Sequence, residues 1–260
     1  MHDVPLWMAA LAVTVAAEIY SVGLMLVSRY AYGVSRLSLN NEVAGFKFAV
    51  VGVFYAVLLA FVVVAVWENY SNTEASVRDE AKASVDLHRV TFALPVEGGA
   101  DIRERLITYV GDVRKDEWPS MAIGEPSEIV AEDLDGLTAA ILAVQPASRR
   151  EMALYQHALG LLTVMTDNRI ERLDSAAGSV PRILWFVLIV GGAITLGYPA
   201  FFGSSNLRAQ ILMTASLAAL VALSLVLALA FDFPFTGDPH ITAAPFERAL
   251  EHMPQTWPPS

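Results

Sequence analysis

The 260-residue chain contains no cysteine, which excludes disulfides, thiolate metal sites and cysteine nucleophiles. Charge is scarce as well. Only 17% of residues are charged, against about 25% in an ordinary soluble domain. Basic residues are the scarcer kind, 17 against 27 acidic, and the net charge of -10 argues against a nucleic-acid partner, because phosphate backbones reward excess Lys and Arg. Catalytic signatures are missing too. The five histidines, His2, His88, His157, His240 and His252, form no H-E-x-x-H pair. There is no phosphate-cradling G-x-x-x-x-G-K loop and no G-x-S-x-G elbow. A hydrolase or ATPase has no residues to stand on, so the chain reads as a non-enzyme without a cofactor.

What the chain has instead is apolar sequence: 55% of residues are hydrophobic and the mean hydropathy is +0.49. Four runs are long enough for a bilayer core, which needs about 20 apolar residues. They are Leu6–Val27, Phe48–Trp67, Ile183–Phe202 and Ile211–Phe231. Each must be helical, because lipid cannot satisfy open backbone groups. Pro5 and Pro181 sit at first helical turns, and Trp7, Trp67 and Trp185 near span ends, where interfacial aromatics belong. The first run has no basic residue before it and is too long for a cleavable signal core.

Residues 68–180 differ, with 11 Lys or Arg against 20 Asp or Glu. Their apolar residues recur at helical spacing, as in Ile102, Leu106, Tyr109 and Val113. Breakers at Pro95 with Gly98-Gly99, from Pro119 to Pro126, and at Pro146 separate the helices. Ser148 and Glu151 read as a capping box. No breaker interrupts Trp67 to Leu94, so the second span is expected to continue as one long helix. A second long helix from Ser148 feeds span three, with a kink expected at Gly178 and Pro181. The predicted fold is all-α, four transmembrane helices with a helical water-exposed domain inserted between spans two and three. The expected divisions are spans one and two (1–67), the helical domain (68–180), spans three and four (181–231) and a C-terminal tail (232–260).

Orientation follows from basic residues in short loops. Arg29, Arg36, Lys47 and Arg208 mark the loops joining spans one to two and three to four, against Arg248 alone in the tail. The count puts the short loops in the cytoplasm, and the helical domain with both termini outside.

A few residues carry candidate chemistry. Glu18 is the one carboxylate well inside a span, at a cost of about 3 kcal/mol on insertion scales. It reads either as a cation or proton site, or a partner for Lys47, or as a neutral carboxyl bonded to a neighbouring helix. On span two, Lys47, Val50, Phe54, Phe61, Ala65 and Glu68 share one broad side. Val50, Phe54, Phe61, Ala65 and Glu68 are therefore the candidate pore lining, since apolar rings around an oligomer axis gate by dewetting. Core packing is the alternative for each. The Asn40–Gly45 stretch resembles a helix cap. Asp232 and Asp238 flank a tight turn that could take calcium, but they supply fewer oxygens than the usual 6–8, so a plain turn is favoured.

At these clusters the chain resembles a bacterial family described as bestrophin-like. The resemblance lies in Asn41-Glu42-Val43-Ala44-Gly45, the run from Tyr55 to Phe61, Trp67-Glu68-Asn69-Tyr70, Glu80-Ala81, Glu117-Trp118, Phe201-Phe202-Gly203 and the Asp232–Gly237 turn. It spans nearly the whole chain. It implies an oligomeric, four-span ion channel in the bacterial inner membrane, with an apolar neck on span two and inorganic ions as its cargo. Bestrophins are pentameric, calcium-gated anion channels whose helical domain is cytoplasmic, opposite to the loop count above. Here the calcium-binding turn is interrupted by Thr236 and lacks the acidic run that follows it. A non-conducting scaffold that docks partners through its helical domain is the rival reading.

Overall fold

The computed structural model describes residues 5–94 and 96–253; His2 and the Pro95 breaker lie outside them. Every regular element among the described residues is helical. In chain order they are α1 (Leu6–Tyr32), α2 (Val34–Ser38), α3 (Asn41–Thr91), α4 (Val96–Asp112), a π-helical turn (Val113–Glu117) and α5 (Trp118–Met121). Then follow α6 (Glu128–Leu142), α7 (Arg149–Ala176), α8 (Arg182–Gly197), a 3-10 turn (Tyr198–Phe201), α9 (Leu207–Asp232) and α10 (Ala244–His252). Four helical segments, α1, α3, α8 with its 3-10 turn, and α9, are long and apolar enough to cross a membrane.

The contacts divide the chain into two compact units. The first comprises residues up to Glu68, Ser179–Asp232 and Gly237–Pro239; the second comprises Asn69–Gly178, Phe233–Thr236 and the residues from His240. The α3 helix contributes to both, because nothing breaks the chain from Asn41 to Thr91.

In the first unit, Tyr55, Leu59, Val62 and Val66 form one face of α3 and pack with Leu188 of α8 and with Ala218, Val221 and Ala228 of α9. Small residues permit the approach. A Cβ on Gly192 would lie 2.9 Å from the Tyr55 hydroxyl, and one on Gly191 3.0 Å from the Tyr55 ring. Close helix contacts through small residues replace the hydrophobic drive that is absent in lipid. On α1, Ser21 is buried and donates to the Leu196 carbonyl at 2.6 Å.

The short loops are tied by polar bonds. Asn41 Nδ2 donates to the Gly203 carbonyl at 2.8 Å, and the Gly203 N–H donates to Asn41 Oδ1 at 2.9 Å. Within the Asn40–Gly45 stretch that resembled a cap, the Asn41 amide is thus spent on another loop. Arg29 donates to the Ser204 carbonyl and to Gln210. Gly203 has no room for a side chain, since a Cβ there would meet Ser38 N at 2.5 Å and Val34 O at 2.7 Å.

In the second unit, α7 starts at the predicted capping box. The Glu151 N–H donates to Ser148 Oγ at 3.2 Å, while the Glu151 carboxylate reaches back to Ala147 N at 2.8 Å. The kink expected after α7 is a full break. Gly178 takes φ +89°, a left-handed conformation that glycine adopts freely, and α8 restarts at Arg182. The core joins Val77, Leu87, Ile102, Leu106, Leu137 and Met165, with Phe246 of α10 buried among them.

Candidate functional site

The α3 helix has two unlike faces across its apolar stretch. One carries the packed residues Tyr55 to Val66 described above. The other lies open in the single chain: Phe54 is 76% exposed, Phe61 71% and Val50 43%, with Lys47, Ala65 and Glu68 exposed as well. The structure therefore leaves every predicted residue of this face unburied by its own chain. Sequence reasoning missed Val57 and Val64, both exposed. They complete the series Val50, Phe54, Val57, Phe61, Val64, Glu68, which alternates steps of four and three. That spacing keeps one seam of an α-helix facing a partner, and the seven-residue interval from Val50 to Val57 to Val64 could have revealed them. Lys47 and Glu68, 21 positions apart in the sequence, bracket about 31 Å of helix at 1.5 Å per residue, close to a bilayer core of about 30 Å.

Glu18 is half-buried on α1, one turn before Ser21. It forms no ion pair with Lys47. Asp232 is 1% exposed and fully engaged. Its Oδ1 accepts from Ser179 N at 2.8 Å, Ser179 Oγ at 3.0 Å and Val180 N at 2.9 Å, and its Oδ2 accepts from Trp185 Nε1 at 3.0 Å. These donors tie the end of α9 to the chain entering α8. Asp238 is exposed. Among the described residues, no group of three or more His, Asp or Glu is placed to hold a metal ion.

A second polar centre lies inside the second unit. Arg172 of α7 is fully buried between Glu80 of α3 and Glu117 of the π-helical turn. Its Nε and Nη2 donate to Glu80 at 2.8 and 3.0 Å, and Nη2 also donates to Glu117 at 2.8 Å. The Tyr109 hydroxyl donates to Glu80 at 2.7 Å, and Arg169 pairs with the far side of Glu117. The Arg172 guanidinium also lies 5.4 Å from the Trp118 ring centre and 5.7 Å from that of Phe246. Burial opposes the Arg172 charge, but the two carboxylates outweigh it and hold the group above its ordinary range. Burial and the neighbouring Glu80 push the Tyr109 hydroxyl well up. All these groups are satisfied by one another, so the cluster is structural.

The motifs that carried the family resemblance meet in these places. Asn41 clasps Gly203, Trp67 packs edge-on against Phe231 at 5.1 Å, and Glu80 and Glu117 share Arg172. A family model, the Bestrophin-like domain, matches residues 15–246. The chain belongs to the bestrophin-like family and is an integral membrane protein.

No curated protein matches the chain. Solved structures do. A crystal structure of a bacterial bestrophin homolog from Klebsiella pneumoniae superposes with a TM-score of 0.69 at 16% identity, covering 92% of this chain and 96% of that one. A mutant of that homolog gives 0.71 at 13% identity, covering 92% and 97%. At such identities the likeness shows a shared fold.

Proposed function

We propose that the chain is one subunit of a homo-oligomeric ion channel of bestrophin type, and that Val50, Phe54, Phe61, Ala65 and Glu68 of α3, with Val57 and Val64, line its pore. The open face of α3 carries this reading. It is apolar for the thickness of a bilayer, it ends in a charge at each side, and its own chain leaves it uncovered. Four spans in one small subunit leave little room for a private aqueous path, whereas copies of α3 around an axis make one. Phe54 and Phe61 then form two rings about 10 Å apart along the helix, and narrow apolar rings exclude water and close a pore. Glu68 at one mouth attracts cations. The four-to-one count of basic residues in the loops supports an orientation with the short loops in the cytoplasm.

The test is ion flux in liposomes. Phe54→Ala and Phe61→Ala, by widening the rings, are expected to raise flux above that of the unmodified protein. Glu68→Gln is expected to shift preference toward anions, because it removes one negative charge per subunit. If both Phe variants remain folded and oligomeric while flux never exceeds that of empty vesicles, the channel reading fails and a non-conducting scaffold takes its place.

A further inference from the structure

Residues 68–180 carry far more acid than base, yet one groove of the second unit is lined by cations without a single carboxylate. It lies between α3 and α10 and encloses about 310 Å³. Arg78 and Lys82 stand one turn apart on α3, Arg248 and His252 one turn apart on α10, and its apolar floor includes Ala81 and Val85. Like charges one turn apart work against a helix, and here the pair Arg78 and Lys82 faces the same space as Arg248. Arg78 reaches Glu74 at 3.2 Å in a half-exposed pair. Among the described residues, Lys82 and Arg248 have no ion pair. Arg78 and Arg248 also border an adjoining recess beside Thr242.

We propose that this groove binds a phosphate-bearing anion, held by Arg78, Lys82 and Arg248 over the apolar floor. Three permanent cations match a multivalent anion rather than a halide, and the guanidinium forks of two arginines fit phosphate oxygens in pairs. The phosphate belongs either to a soluble ester or to a lipid headgroup. This inference is independent of conduction.

The experiment uses the full chain. Inorganic pyrophosphate is titrated calorimetrically in detergent, and thermal stability is compared in nanodiscs with and without phosphatidylglycerol. Removing one basic residue is expected to weaken binding about five-fold, and Lys82→Gln with Arg248→Gln about 25-fold. Arg114→Gln, at an exposed site elsewhere, changes nothing. Pyrophosphate binding that the double variant loses assigns a soluble phosphate. A phosphatidylglycerol response that alone is lost assigns a headgroup. Either supports the site. The proposal is overturned if no phosphate binds, or if the double variant binds and responds as the unmodified protein does. A double variant that changes only its oligomeric state also overturns it, by making the groove a subunit contact.

Discussion

Replacing Arg172 by Met tests whether the buried ion cluster holds the second unit together. The substitution keeps much of the side-chain volume but removes four hydrogen bonds, two to Glu80, one to Glu117 and one to the Met121 sulfur. Glu80 is then left with Tyr109 alone, at 0% exposure, while Glu117 keeps Arg169. Stripping one partner from a buried pair costs about 3–5 kcal/mol, because the remaining charge cannot be solvated. With roughly 2–4 °C per kcal/mol for a chain of this size, the midpoint of thermal unfolding should fall by roughly 6–20 °C in detergent, followed by circular dichroism. The cost should come from the orphaned charge and not from lost packing. Adding Glu80→Gln to Arg172→Met removes that charge while keeping an acceptor for Tyr109, and Glu117 still has Arg169, so the double variant should recover most of it. A midpoint within 2 °C of the unmodified protein for Arg172→Met alone would refute the reasoning, as would a double variant less stable than the single one.

Three further outcomes follow from particular contacts. Gly203→Ala drives a Cβ into the backbone at Val34 and Ser38 and should lower the unfolding midpoint by several degrees, whereas Gly160→Ala, with open space around it, should not. Burial, followed by repulsion from Asp112, raises the Asp133 carboxyl above its ordinary range. Its charge therefore costs stability at pH 7, and that cost shrinks as pH falls through the raised value and is gone below the ordinary carboxylate range. Asp133→Asn should stabilise the protein at pH 7, with the gain shrinking toward acid in a pH series of melts. A reporter fused after Ser260 should be active only outside the cytoplasm; a cytoplasmic signal reverses the orientation.

The all-helical class, the four apolar spans and the long second helix were legible in the sequence because each rests on local physics. An apolar run must be helical in lipid, and a stretch without proline, such as Trp67 to Leu94, gives a helix nowhere to stop. The side of α3 bearing Phe54 and Phe61 was legible for the same reason, since helical spacing is a property of the chain alone. What covers a face is not. Only the fold showed that Tyr55 and Val62 are buried, because that depends on where α8 and α9 pack. The Asn40–Gly45 stretch looked like a cap, yet its Asn41 binds Gly203, more than 160 residues away. Asp232 read from the chain as part of a plain turn, and only the fold showed that its carboxylate holds the backbone before α8. Glu80, Glu117 and Arg172 carry no mutual spacing that a reader of the chain could detect. Their meeting was decided by tertiary structure, because a buried charge takes its partner from whichever helix the fold brings within hydrogen-bonding distance.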